Sequence, residues 1–202
     1  RVLGLDFTCR YDTSERGEQE FRGLNYGSLT VLADADVDGN HIVGLVLTMF
    51  ALYWPELLAR GYIKRMITPV IRAYPTNSGG AQGRARGKKK ARTTLEQDGV
   101  LSFYYEHEYE QWLAEHFPTR VPTGYRIQYY KGLAAHSDRE TRETFADMPR
   151  HLFRIVDISP EETWQLFRTY FGPDTAPRKA ELREPATVYT PQNQTVDPRE
   201  FL

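Results

Sequence analysis

The chain has a single cysteine, Cys9, among its 202 residues. One thiol excludes an internal disulfide framework and suits a reducing compartment. A long apolar run is also missing, because the almost wholly apolar residues 42–54 are too few to cross a bilayer and Pro55 ends them. The sequence therefore predicts neither a disulfide-stabilised domain nor a transmembrane helix.

An excess of charge of one sign is missing as well. The 26 Lys and Arg residues nearly balance the 27 Asp and Glu residues, so the net charge is −1. The chain as a whole does not attract nucleic acid electrostatically. Basic residues nevertheless crowd residues 84–92, within a polar segment at residues 75–98 that we interpret as an exposed insertion. Its composition also fits an accessory DNA-backbone contact or a nuclear-targeting sequence.

A mass of 23.4 kDa and a hydrophobic content of 40% are sufficient for one globular domain with its own core. The chain opens with Arg rather than Met. We therefore expect it to be a fragment of a longer protein.

The most informative stretch is an apolar run at residues 29–33 followed by three carboxylates, those of Asp34, Asp36 and Asp38. In an extended segment, residues two apart share a face, so the three side chains can converge. Converging carboxylates repel one another unless a cation lies between them. Hard oxygen ligands favour Mg²⁺, Mn²⁺ or Ca²⁺, so the pattern predicts a metal site after a strand.

The acidic turn has two other interpretations. A solvated turn, with Asp38 or Asn40 capping the following helix, explains one or two acids and stays open. An EF-hand calcium loop requires a Glu at its twelfth position and a preceding helix. The twelfth residue here is Leu45 and the preceding residues are β-prone, so the EF-hand is excluded.

Strand and helix patterns alternate along the rest of the chain. Strands are predicted at residues 29–33, 62–74, 100–105, 125–130 and 151–158, and a loop is predicted around residues 12–19. Helices are predicted from about Gly39, at residues 55–59 with Gly61 ending them, at residues 106–117, and beyond Gly172. Two capping boxes, at Ser137 and Ser159, open further helices.

This alternation favours an α/β fold with a largely parallel sheet flanked by helices. The helix after the acidic turn is apolar nearly all round, which predicts burial on more than one side. In such folds, ligands bind at the carboxyl ends of the strands, where the three aspartates fall.

Two motifs resemble a known family. Residues 34–42 closely resemble the D-x-D-x-D-G-x-H-I signature of the Toprim domain of type IIA DNA topoisomerases, and residues 129–133 resemble its Y-K-G-L-G segment. Residues 67–71, I-T-P-V-I, and the doubled tyrosine before Lys131 are similar to the eukaryotic and viral branch. The resemblance covers nearly the whole chain and implies a Toprim, Rossmann-like fold.

The resemblance implies DNA transesterification, in which a tyrosine attacks a phosphate and a second duplex passes through the break. It implies Asp34 and Asp36 as metal ligands, with Asp38 as a further ligand or an outer-shell group. The implied catalytic residues are Asp34, Asp36, His41 and Lys131. The implied DNA-binding residues are Tyr130, Lys131, Gly132 and His41, although Tyr129 and Tyr130 fit strand positions, one inward and one outward, better than nucleophiles.

The implied cofactor is Mg²⁺, with Mn²⁺ or Ca²⁺ as substitutes, and ATP would bind elsewhere in the full-length protein. The implied partners are double-stranded DNA and a second copy of the chain, without a membrane. The expected location is inside the cell, in the nucleus or, for a virus, in the host cytoplasm or nucleus.

The resemblance also suggests a domain organisation. Residues 1–28 would lead into a Toprim domain at 29–172 that carries the insertion at 75–98. Residues 173–202 would form an extended connector toward a winged-helix domain. The family's nucleophilic Tyr lies in that domain and its essential Glu lies on an earlier strand, so this chain alone would be inert.

Some residues depart from the family pattern. Ala134 replaces the last Gly of Y-K-G-L-G, and Ala135 and His136 replace small hydroxyl residues. Two alternatives therefore remain: a Toprim-type nuclease or primase, and a non-catalytic module that binds metal or DNA.

Overall fold

The computed structural model of this protein describes residues 2–34, 36–76, 98–117, 119, 121–132, 135–183 and 195–198. The chain divides into two compact units. Unit 1 contains Arg1–Ala33, Val37–Met66 and Leu152–Leu202, and unit 2 contains Asp34–Asp36 and Ile67–His151. Most of the predicted insertion and much of the predicted connector lie outside the described residues, and the domain boundaries expected at residues 28/29 and 172/173 stay predictions.

Unit 1 is built on a four-stranded sheet. Its strands are β1 (Leu29–Leu32), β2 (Ile63–Met66), β6 (Leu152–Ile155) and β7 (Thr195–Val196), in the order β1-β2-β6-β7. The pairs β1–β2 and β6–β7 are parallel, whereas β2–β6 is antiparallel.

Five helices in the described part of the chain belong to the same unit. They are α1 (Glu15–Arg22), α2 (Val37–Tyr53), α3 (Pro55–Ala59), α7 (Pro160–Phe171) and α8 (Thr175–Glu181). The core of the unit includes the fully buried Val43, Leu47, Phe50, Ile63 and Phe167. The predicted helices at residues 55–59 and beyond Gly172 are confirmed.

Helix α1 occupies most of the stretch predicted as a loop, so that prediction was wrong. Ser14 caps the helix by accepting a hydrogen bond from the Gly17 amide at 3.1 Å. Acidic residues lie in the first turn and Arg22 in the last, which suits the helix dipole. The high polarity of this segment led to the loop prediction. The helix is stabilised by its N-cap and by acidic residues at its start and a basic residue at its end.

Helix α2 begins at Val37, two residues before the predicted start. Val43, Leu47 and Phe50 are buried, but Ile42 and Leu45 remain about half exposed. The expected burial on more than one side is therefore wrong for the part of the chain that the structure describes. The apolar pattern correctly indicates a hydrophobic helix. It does not indicate how many faces of that helix are covered by other parts of this chain.

Unit 2 contains a three-stranded antiparallel sheet in the order β4-β3-β5. The strands are β3 (Ile71–Pro75), β4 (Leu101–Phe103) and β5 (Tyr125–Tyr129). Its helices are α4 (Glu106–His116), α5 (Asp138–Ala146) and α6 (Met148–His151). A second core of Ile71, Ala73, Phe103 and Tyr109 joins the sheet to α4, which supplies Tyr109.

The strand predicted at residues 62–74 is two strands in two different sheets. Pro69, which cannot donate a backbone hydrogen bond, lies in the break between β2 and β3. On either side of it, the Ile67 amide donates to His151 at 2.8 Å and the Val70 amide donates to Phe103 at 2.9 Å. The expectation of a largely parallel sheet is confirmed only in part, because two of the three strand pairs in the sheet of unit 1 are parallel and the sheet of unit 2 is antiparallel. The structure shows a mixed α/β chain with one parallel-containing sheet flanked by helices.

The two capping boxes have different outcomes. Ser137 forms the complete box with Glu140, as predicted. Ser159 is the N-cap of α7, but its side chain makes no capping hydrogen bond. Instead, Asp157 Oδ1 accepts from the Ser159 amide at 3.0 Å and from Thr163 Oγ1 at 2.9 Å. The carboxylate of Asp157, which precedes the helix, therefore caps the start of α7.

Gly61 ends α3 in a left-handed conformation, with φ of 64°. The Gly61 amide donates to Leu58 at 2.8 Å and the Tyr62 amide donates to Leu57 at 2.9 Å, which is a Schellman motif. A Cβ at this position would overlap the Arg154 side chain. No helix of the described residues has the length and apolarity needed to cross a membrane.

We expect Gly61→Ala to lower the free energy of unfolding by about 2 kcal/mol, because the left-handed backbone penalises a Cβ and Arg154 must move. Urea denaturation measures this change. Gly27→Ala is the matched control, since a Cβ at Gly27 meets no atom within 4 Å. Equal stability of the two variants would contradict the role assigned to Gly61.

Candidate functional site

The acidic turn does not continue as one extended segment. Asp34 follows β1 without regular structure, Asp36 lies in a bend, and Asp38 is already in the first turn of α2. The premise that all three aspartates alternate on an extended backbone is therefore wrong for Asp38. Its carboxylate has a favourable position near the positive end of the helix dipole. Its role as a metal ligand stays a prediction.

Asp34 and Asp36 belong to unit 2, although both flanking elements belong to unit 1. Unit 2 also contains the turn with Lys131 and Gly132, which follows β5. The first two aspartates of the acidic motif and the Lys131 turn, about a hundred residues apart, are therefore parts of the same unit, whereas Asp38 and His41 belong to unit 1. Sequence spacing alone does not reveal this grouping.

Asp34 lies directly against Gly132. A Cβ built on Gly132 would be 2.7 Å from Asp34 Oδ2 and 3.1 Å from Asp34 Oδ1. Real Cβ atoms do not approach an oxygen so closely, so any other residue at this position would require the Asp34 side chain to shift. Asp34 is half-buried and Asp36 is exposed.

Lys131 and Tyr130 have different environments within the turn. The Lys131 side chain is exposed, which leaves its ammonium group accessible to a partner. Tyr130 is half-buried, and its amide donates to the Val70 carbonyl at 2.8 Å. Tyr129 is 54% exposed, so the predicted inward and outward placement of the two tyrosines is confirmed, but Tyr130 lies just beyond β5 and not in a strand.

The hydroxyl group of Tyr130 donates a short hydrogen bond to Glu140, and so does that of Tyr74. The two phenol oxygens are 3.0 Å apart. The other carboxylate oxygen of Glu140 accepts from the Ser137 amide at 2.6 Å and from Ser137 Oγ at 2.7 Å. Arg72 Nη1 lies 3.7 Å from Glu140 Oε1, and both residues are buried. We call these five residues the Glu140 cluster.

The cluster fixes the protonation of its members. Burial opposes the charge of Glu140, but hydrogen bonds from Tyr130, Tyr74 and Ser137 outweigh it and lower the pKa of Glu140 to about 2. Burial, followed by the bond to Glu140, raises the pKa of Tyr130 well above its usual range. The Tyr130 hydroxyl therefore stays protonated at neutral pH, which argues against a nucleophilic role.

His136 stacks on Tyr130, with ring centroids 4.3 Å apart and planes within 5° of parallel. Burial, assisted by the charge of Arg72, lowers the pKa of His136 below its usual 6.5. The imidazole is therefore neutral at pH 7. Its flat contact supports the Tyr130 ring from one side.

His41 is exposed on α2 and stacks on Phe171 of α7, with ring centroids 5.6 Å apart and planes 16° from parallel. The packing of α7 on α2 thus orients the imidazole ring. Its predicted contact with a DNA phosphate stays a prediction.

The predicted metal site can be judged from the donor side chains of the described residues. Within the described residues, no group of three or more His, Cys, Asp or Glu side chains is arranged to hold a metal ion. Mg²⁺ commonly uses only one or two carboxylates and completes its octahedron with water and substrate phosphates. Asp34 and Asp36 fit that donor set, and the absence of a side chain on Gly132 leaves room beside the Asp34 carboxylate.

Comparisons with known proteins identify the family of this chain. The family model described as the C-terminal associated domain of TOPRIM matches residues 66–202. DNA topoisomerase 2 of African swine fever virus is 36% identical over 90% of the chain and 13% of its own length. The chain belongs to the Toprim region of type II DNA topoisomerases.

Further relatives place this Toprim region in the eukaryotic and viral branch, as expected. DNA topoisomerase 2 top-2 of Caenorhabditis elegans is 35% identical over 77% of the chain and 8% of its own length. A crystal structure of the Plasmodium falciparum topoisomerase II DNA-binding, cleavage and re-ligation domain has a TM-score of 0.73 and 26% identity. The aligned region covers 98% of this chain and 23% of the chain in that crystal structure. The Toprim region thus spans about a tenth of the curated relatives it matches.

The Glu140 cluster was missed by the sequence analysis of this Toprim region. The capping box at Ser137 identified one interaction of Glu140, because its signature is local. The contacts of Glu140 with Tyr74 and Arg72 join residues more than sixty positions apart. No local pattern marks such contacts.

We expect Gly132→Ala to displace Asp34, because the added methyl group would lie 2.7 Å from its carboxylate. The change is measured as shifts of the Asp34 and Asp36 amide resonances, together with a loss of stability of about 1–3 kcal/mol. Gly27→Ala is again the control. An unshifted Asp34 in the variant would contradict the close approach.

The stability of the native state should depend on Glu140 below pH 4.5. Its pKa is about 2 in the folded chain and 4.5 ordinarily. The stabilisation is therefore complete above pH 4.5 and is lost as the pH falls toward 2, by on the order of 3 kcal/mol. In Glu140→Gln, urea denaturation should show a smaller fall of the free energy of unfolding between pH 5 and pH 2. Glu110→Gln, which changes an exposed carboxylate of α4 outside the cluster, should keep the wild-type fall, and identical profiles of all three proteins would exclude this role.

Proposed function

We propose that this chain forms the metal-binding and DNA-contacting part of the cleavage and religation centre of an ATP-dependent type II DNA topoisomerase. The observation that carries the proposal is the contact between Asp34 and Gly132. It joins the start of the acidic motif, Asp34–Asp36, to the lysine-bearing turn within one unit. Such a pairing suits chemistry on a phosphodiester, where a cation and a basic side chain act on the same group.

Asp34 and Asp36 would hold Mg²⁺, with Mn²⁺ as a substitute. The bound ion would supply positive charge that stabilises the leaving 3′-oxygen of the cleaved strand. Ca²⁺ suits this donor set less well, because it takes six to eight oxygen ligands. Asp38 is proposed as a further ligand or an outer-shell group.

The residues of the turn would bind the DNA backbone. The exposed Lys131 offers an ammonium group to a phosphate oxygen, and Gly132 lets the main chain approach closely. The neutral Tyr130 would support this turn. Its ring would also be able to contact the DNA. His41, held by its stacking on Phe171, is proposed to donate a hydrogen bond to a phosphate oxygen.

The whole-protein features are proposals as well. The parent enzyme would act as a homodimer on double-stranded DNA and would bind ATP outside this region. The nuclear or host-cell location stays a prediction, since one relative is a mitochondrial DNA topoisomerase 2 of Dictyostelium discoideum, 31% identical over 97% of the chain. The nuclease, primase and non-catalytic alternatives are not favoured by the relatives, which are named DNA topoisomerase 2.

We expect Asp34→Ala and Asp36→Ala, introduced into the full-length enzyme, to abolish Mg²⁺-dependent DNA cleavage and plasmid relaxation. A loss of at least a hundredfold is expected, because such charges act mainly in the transition state. Thermal unfolding should show that both variants remain folded.

Glu110→Ala, which removes an exposed carboxylate of α4, is the control and should relax plasmids normally. Unaltered relaxation by the aspartate variants would reject the proposed function. Cleavage without any change of linking number in the wild-type enzyme would instead favour a nuclease.

A further inference from the structure

We propose that Glu140 is a positioning residue, whose carboxylate holds the turn of Tyr130, Lys131 and Gly132 against Asp34. Its consequence for DNA cleavage depends on the function proposed above. Its consequence for the turn does not depend on that function and can be measured in this chain alone.

The carboxylate holds both sides of the segment that carries the turn. Before the turn, Glu140 Oε1 accepts from the Tyr130 hydroxyl. After it, Glu140 Oε2 accepts from the amide and the hydroxyl of Ser137 at 2.6 and 2.7 Å. One side chain thus joins two positions seven residues apart and restricts the backbone between them.

The anchor itself is held rigidly. Glu140 lies in the first turn of α5 and is 5% exposed. Tyr74 and Arg72, both on β3, approach the same oxygen from the antiparallel sheet. The carboxylate is therefore fixed to a helix and a strand, and it is too buried to bind DNA or a metal ion itself.

The turn is also supported from within. The Ala135 amide donates to the Gly132 carbonyl at 3.0 Å, and the Tyr130 amide donates to Val70 at 2.8 Å. The stacked His136 ring covers the Tyr130 ring. These contacts hold Tyr130, Gly132 and Ala135, and Gly132 lies close to the Asp34 carboxylate. A small displacement of Tyr130 would therefore move Lys131 and open the contact with Asp34.

Two tyrosines allow a sharp test, because they bond the same oxygen of Glu140 and only Tyr130 belongs to the turn. Tyr130→Phe and Tyr74→Phe each remove one hydroxyl and keep the ring. A purely structural role predicts the same effect for both. A positioning role predicts that only Tyr130→Phe releases the turn.

The first measurement is amide hydrogen exchange at Lys131 and Gly132 in this chain. We expect Tyr130→Phe to accelerate it about tenfold or more, as the loss of a hydrogen bond to a charged group implies. Tyr74→Phe should change it much less, even where both variants lose similar global stability. Equal acceleration in both variants, or none in either, would overturn the proposal.

The second measurement is DNA cleavage by the full-length enzyme at saturating Mg²⁺. Tyr130→Phe should lower the cleavage rate about tenfold or more, and Glu110→Gln, which changes an exposed carboxylate outside the Glu140 cluster, should leave it unchanged. An unchanged rate in Tyr130→Phe would overturn the catalytic consequence. Normal cleavage by Asp34→Ala would refute the proposed function instead, and the exchange result would still decide whether Glu140 holds the turn.

Discussion

The close approach of the Asp34 carboxylate to Gly132 is the constraint on which the site depends. Both oxygens of the carboxylate face the position where any other residue would carry a Cβ. Glycine therefore allows this approach without a shift of the Asp34 side chain. Without that approach, the acidic motif and the lysine-bearing turn would be two unrelated surface features.

The surrounding structure stabilises this approach through a buried carboxylate. Glu140 gathers two phenols, a serine and an arginine beneath the turn. A buried charge is costly unless hydrogen bonds satisfy it, and here they are strong enough to keep it ionised far below its usual pKa. Such a cluster tolerates few arrangements, so it specifies one position for the turn more than it adds net stability.

Local signals in the sequence were reliable where the physics is local. Pro55 and Gly61 bound a short helix because one fixes φ and the other adopts a left-handed conformation. The Ser137 capping box formed as expected. The signals failed where the outcome depends on distant partners. The segment around Pro69 divides between two sheets, and the start of α7 uses Asp157 rather than the Ser159 side chain.

The amino-acid sequence by itself determined the family, the acidic motif, the glycine-containing turn and most helix ends, because each is written within a few neighbouring residues. Only the tertiary structure decided that Asp34 and Asp36 belong with Lys131 and Gly132, that Asp38 begins a helix, and that Glu140 lies beneath the turn. Those facts depend on contacts between residues far apart in the chain. Long-range packing and the balance of burial against hydrogen bonding establish such contacts, and no short sequence pattern encodes them.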